Sequence, residues 1–150
     1  MNKIIQKPNQ DSKPDLSGIA VCGKVNYHKN LGTYRIVWIA TKKLIYESPH
    51  IPGASDYVLE YFGLSHAFWY CLKHNLSAPI YSSNDTVVKW VVKGKDFTKH
   101  PHQELIEKIL KAQNWFLQNP SNIKISLWDR KSWGKNPADI RKLLKYKALY

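Results

Sequence analysis

Trp128-Asp129-Arg130-Lys131-Ser132-Trp133-Gly134-Lys135-Asn136-Pro137-Ala138-Asp139 is the stretch on which the reading of this chain turns. Trp128 and Trp133 bracket the basic pair Arg130-Lys131. Aromatic and cationic side chains side by side can hold a nucleic-acid backbone, although packing is the plainer use of two tryptophans. Asn136-Pro137-Ala138-Asp139 is a good helix start. Asn suits the cap, Pro suits the first position because its missing N–H is not needed there, and Asp139 sits in the first turn, where the helix dipole favours an acid. Local chemistry alone therefore explains Asp139 as a helix-end acid.

Working outward, Ile123 to Trp128 alternates as a strand, so the segment joins a strand to a final helix reaching about Lys147. Near the other end, Ile19, Val21, Gly23, Val25 and Tyr27 alternate, and Tyr34 to Ala40 and Leu44 to Tyr46 are two more β-rich runs joined by Lys42-Lys43. These three predict an antiparallel meander. Ser55 or Asp56 caps a long helix through about His74, and Ala78 to Ser82 is an apolar run of strand length. A helix from about Asn84 to Val92 follows. After the turn-like Lys93 to Pro101, the segment His102 to Gln118 places Leu105, Ile106, Ile109, Leu110, Ala112, Phe116 and Leu117 at helical spacing. Later strands separated by helices of this length imply parallel crossovers, so the fold class is α/β with a mixed sheet.

The chain has 150 residues, 43% of them apolar, with six Trp and nine Tyr, enough for one domain with a real core. Residues 1–17 are polar, aperiodic and contain proline, which predicts a flexible lead-in, with the domain occupying 18–150. No apolar run approaches the roughly 20 residues a spanning helix needs, so the expectation is a soluble, cytoplasmic protein with no membrane partner. Cys22 and Cys71 form no disulfide framework, and Cys71-x-x-His74 is half of a zinc pattern without its other half. The formal charge is +12, which concentrates polyanions around the surface. Almost all of the excess is lysine. With only Arg35, Arg130 and Arg141 as arginines, bidentate reading of bases is thinly provided.

Glu60 stands where an apolar residue belongs. It shares a helix face with Leu64, Ala67 and Cys71, and a charge on such a stripe costs several kcal/mol of desolvation unless it finds a partner or opens into a cleft. Either it reaches solvent from near the helix end, or it belongs to a site.

Taken together, the segment ending Trp133-Gly134-Lys135-Asn136-Pro137-Ala138-Asp139, the first-strand motif Ile19-Ala20-Val21-Cys22-Gly23 and the helix motif Leu59-Glu60-Tyr61-Phe62 resemble ribonuclease H. The resemblance spans Gly18 to about Leu144 and is closest in kind to bacterial forms ending in Trp-Gly-x-x-Pro-Ala-Asp. It implies a five-stranded mixed sheet, three antiparallel strands followed by parallel ones, flanked by helices. It also implies cleavage of the RNA strand of an RNA–DNA hybrid by two magnesium ions. Members of that family hold the metals with an Asp in the first strand, a Glu in the first helix, an Asp ending the fourth strand and an Asp at the start of the last helix.

By position those acids fall on Cys22, Glu60, Ser83 and Asp139, so two carboxylates remain. Two-metal chemistry needs hard, bridging oxygen ligands, and neither a thiol nor a neutral hydroxyl suits magnesium. Asp85, just past Ser83, is a candidate compensating ligand, or simply a first-turn acid. The glycine-rich turn usual after the first strand is replaced by Tyr27-His28-Lys29-Asn30-Leu31-Gly32. Lys24 shares a strand face with Cys22, which suggests that its ammonium stands in for the missing cation by pairing with Glu60 or Asp139. Lys89, Lys93, Lys95 and Lys99 fall where some relatives carry a hybrid-binding protrusion, and with Arg130 and Lys131 they are the candidate nucleic-acid contacts. The expectation is a ribonuclease H-like protein, catalytically impaired or inactive, with no cofactor or weakly bound Mg2+ or Mn2+, and with RNA–DNA hybrid or single strands as the partner. The alternatives are a weak metal-dependent ribonuclease H and a protein-interaction scaffold.

Overall fold

The structure, a computed structural model, describes residues 4–6, 13–26, 28–93, 103–119 and 122–139. The expected meander is β2 (Ile19–Asn26), β3 (Leu31–Trp38) and β4 (Leu44–Glu47), antiparallel in sequence order, with the short β5 (Ile51–Pro52) pairing with the same edge of β3. Asn30 closes the β2–β3 turn in the left-handed region at φ 49°, a conformation asparagine tolerates better than most residues. That is how this hairpin forms without a glycine-rich turn.

Parallel pairing then builds the other half. β6 (Ile80–Ser82) lies beside β2, and β7 (Lys124–Leu127) lies beside β6. Ile4–Gln6, inside the expected flexible lead-in, forms β1 and pairs in parallel with β7, so part of that segment belongs to the sheet. Among the described residues the sheet keeps the five expected strands and adds the short β1 and β5, in the order β1-β7-β6-β2-β3-β4 with β5 alongside β4 on β3.

Helix α1 (Asp56–Lys73) starts where Ser55 accepts a hydrogen bond from Val58 N at 3.2 Å, with Asp56 in its first turn and Lys73 in its last. Its inner face, including Val58, Leu59, Leu64, Ala67, Phe68 and Cys71, packs on Ile19, Val21, Ile36 and Ile80 to form the main core. Helices α2 (Asp85–Lys93) and α3 (Gln103–Gln118) follow, and Val87, Val88 and Val91 of α2 enter the same core.

The other face of the sheet carries a smaller cluster of Ala20, Cys22, Val37, Ile39, Tyr81, Trp128 and Ala138. Side chains alternate across a strand, so Ile19 and Val21 face α1 while Ala20 and Cys22 face away. A one-turn helix, α4 (Arg130–Trp133), replaces the expected basic loop, with Asp129 accepting from Ser132 N at 3.2 Å. Trp128 and Trp133 pack edge-on at 5.1 Å between centroids, both against Tyr81, and Trp128 Nε1 donates to Gly134 O at 2.9 Å. Their role here is packing. Residues 136–139 form a turn, and the rest of the expected final helix lies outside the described residues.

Candidate functional site around Glu60

The close seating of α1 on β2 creates this site. A Cβ built on Gly23 would stand 2.5 Å from Glu60 N and 2.6 Å from Leu59 C, so only glycine lets the helix approach this near. The Glu60 carboxyl is then held by the sheet itself. Gly23 N donates to Oε1 at 2.6 Å, the Ser82 hydroxyl donates to Oε2, and the Cys22 thiol lies within hydrogen-bonding reach of the same group. Ser82 Oγ in turn accepts from Asn84 N at 3.1 Å, and Asn84 Oδ1 accepts from Val87 N at the start of α2. One chain of hydrogen bonds therefore ties α1, β2, β6 and the start of α2 together.

Glu60 is 3% exposed. Burial pushes its carboxyl up to about 7, against the hydrogen bonds from Ser82 and Gly23, the charge of Lys24 and the Cys22 contact, all of which favour the anion. Desolvation is thus the largest influence. The partners suit either protonation state, because a serine hydroxyl can donate to a carboxylate or accept from a carboxylic acid.

The remaining positions are arranged differently. Ser83 is exposed and meets Asn136, whose Nδ2 donates to Ser83 Oγ at 2.9 Å and to Val21 O at 3.0 Å. Asn136 Oδ1 accepts from Ala138 N at 2.8 Å, and Asn136 O accepts from Asp139 N at 2.9 Å. Asp139 follows as a half-buried residue at the end of that turn. Cys22 is buried between the two networks.

Lys24 pairs with Asp56, Nζ to Oδ2 at 3.8 Å, and not with Glu60 or Asp139 as the sequence suggested. Asp56 lies one helical turn before Glu60 and also accepts from Val25 N at 2.7 Å, so it meets the ammonium first. Asp85 is held by Lys89 at 2.9 Å, an i,i+4 pair on α2. Lys93, Arg130 and Lys131 are exposed, while Lys95 and Lys99 lie outside the described residues. Arg35 faces Glu47 at 3.5 Å.

Two residues at the centre of this arrangement carry a signal in the sequence. Ser82 has the same parity as Ile80, so a strand that turns Ile80 inward turns Ser82 inward too, and a buried serine needs a partner. Asn136 has the chemistry of a helix cap. It does close its own turn, but its amide also bridges the end of β6 to β2.

The donor set does not fit a pair of magnesium ions. Both oxygens of Glu60 are taken by protein donors, and the side chains that reach its carboxyl are a serine hydroxyl and a cysteine thiol. Among the described residues no group of three or more His, Cys, Asp or Glu side chains could hold a metal ion.

The fold this geometry sits in is that of ribonuclease H: a mixed sheet of a meander and parallel strands, flanked by helices. No protein family model matches the sequence. A ribonuclease H1 isolated from compost by a metagenomic approach superimposes with a TM-score of 0.57 at 18% identity, over 100% of both chains. The same enzyme in complex with an RNA/DNA hybrid gives 0.50 at 17% identity over 76% of this chain and 86% of that one. The protease-reverse transcriptase of prototype foamy virus gives 0.52 at 16% identity, covering 93% of this chain and 21% of that one.

Proposed function

We propose that this chain is a ribonuclease H-fold protein that has lost two-metal hydrolysis, or retains a trace of it, and works by binding nucleic acid, with RNA–DNA hybrid the first candidate. The observation that carries the first half is the state of Glu60. A carboxyl that is buried, shifted toward its neutral form and hydrogen-bonded through both oxygens is a fastening between helix and sheet. Turning it into a metal ligand would mean breaking both bonds and ionising the group beside a thiol and a serine.

The binding half rests on charge and kinship of fold. A net +12 on 150 residues attracts polyanions whatever their sequence, and a structure of similar fold is in complex with an RNA/DNA hybrid. Lys93, Arg130 and Lys131 are exposed candidate contacts, and Lys89 and Lys24 are partly neutralised by their acids.

The test is cleavage of a labelled RNA–DNA hybrid in magnesium and in manganese, with Glu60→Gln protein prepared identically, alongside binding of an uncleavable hybrid at rising salt. The expected result is no cleavage by either protein and salt-sensitive binding by both. Cleavage by the native chain that Glu60→Gln abolishes overturns the loss of hydrolysis. Absence of salt-dependent affinity for hybrid and for single strands overturns the binding role and leaves a protein-interaction scaffold.

A further inference from the structure

Away from Glu60, on the outer side of α1, an open cleft of about 620 Å3 lies between α1, the β3–β5 region and α3. Phe62, Ser65, His66 and Trp69 line it from one face of α1, spaced at i, i+3, i+4 and i+7; Tyr34 closes it from β3 and Trp115 from α3. Its volume falls in the range of small-molecule sites, and its walls are mostly aromatic. Among the described residues no carboxylate lines it.

We propose that this cleft is a binding site for a single heteroaromatic base carrying a phosphate, as in a nucleotide or an unpaired base of a single strand. Three side chains point there. Trp69 remains 42% exposed, a large ring at a cleft rim where a flat ligand can stack. Lys73, one turn further along α1, places its ammonium 4.8 Å from the Trp69 ring centre, so a cation stands at that rim for a phosphate. His66 supplies the directional contact. Its Nδ1 is hydrogen-bonded to the Tyr34 hydroxyl at 2.8 Å and its ring packs against Tyr46 in a tilted contact at 4.3 Å, which fixes the imidazole.

Nε2 of His66 takes no hydrogen bond among the described residues and is available to a ring nitrogen or carbonyl of a base. Burial holds this imidazole below its ordinary range, so it meets the ligand neutral, and burial likewise keeps the Tyr34 hydroxyl protonated. A cationic ligand is the poorer occupant, since an ammonium already lies over Trp69 and the chain is strongly positive.

The choice of a nucleotide rests on the nucleic-acid reading above, and the experiment separates the two. Adenosine monophosphate, ribose 5-phosphate and a short oligoadenylate are titrated separately into the full chain and into Trp69→Ala and Trp69→Phe, followed by amide NMR. Saturable shifts at residues 62, 65, 66, 69 and 115 with the mononucleotide, not with ribose 5-phosphate, support the site. Trp69→Ala should weaken both adenine ligands about tenfold, and Trp69→Phe should do so by less. Equal affinities in the native chain and Trp69→Ala, or mononucleotide shifts confined to surface lysines, overturn the site while leaving binding through charge intact. Mononucleotide binding in the cleft without affinity for the oligomer sustains the site and removes single strands from the nucleic-acid role, which then stands or falls on the hybrid-binding test alone.

Discussion

Glu60 titrates against its surroundings, and the sign of the effect can be worked out. Its folded-state value of about 7 lies above the ordinary carboxyl range, so between roughly pH 4.5 and 7 the folded protein holds a proton that the unfolded chain has lost. Stability from this group is therefore fully present below about pH 4.5 and declines as pH rises through 7, by on the order of 3 kcal/mol for a shift of this size. Glu60→Gln is neutral at every pH, and its amide can accept from Gly23 N and donate to Ser82 Oγ. The expected outcome in denaturant melts is that Glu60→Gln flattens the decline and becomes the more stable protein at pH 8. A native chain whose stability is level across this window would refute the shift. Ser82→Ala leaves one carboxyl oxygen buried without its partner and should cost about 1–3 kcal/mol, measured at pH 5 to keep Glu60 neutral.

At the scale of elements, two junctions hold the chain in register. The first is α1 on β2, where the absence of a side chain at Gly23 sets the distance; Gly23→Ala should lower stability by several kcal/mol, because the atoms it meets are backbone and cannot swing aside. The second is Asn136 bridging the end of β6 to β2. Asn136→Ala should cost roughly 1–3 kcal/mol by stranding the buried Val21 carbonyl, readable as a lowered melting midpoint. The meander, α1, α2 and α3 were legible in advance because hydrophobic periodicity reports which residues turn inward, and their ends fall within a residue or two of expectation except at β3, which starts three residues earlier, at Leu31. β1 was not, since Ile4–Gln6 is three residues in a polar setting and its pairing partner, the edge of β7, lies far away in sequence. At the site, the odd position of Glu60 was visible, whereas its partners were not: periodicity says that Ser82 and Glu60 face inward but not that they meet. The Lys24 pairing was misplaced for a similar reason, because Asp56 and Glu60 lie one turn apart and only geometry says which is nearer.

For the whole molecule, the proposed role joins a +12 charge, which attracts polyanions, to a buried Glu60 whose carboxyl is hydrogen-bonded within the protein. Binding to hybrid should weaken steeply with salt, with the slope of log affinity against log salt reporting the number of phosphates neutralised. Charge reversal at Arg130 and Lys131 should shallow that slope without altering the melting midpoint, since both are exposed. The most direct measurement is the pH titration of the Glu60 side-chain carboxyl by isotope-edited carbon NMR, without and with millimolar magnesium. A midpoint near 7 that magnesium leaves unmoved is the predicted result. A midpoint in the ordinary carboxylate range would show an ionised Glu60, and one that magnesium drives downward would show a metal ligand; either would contradict it.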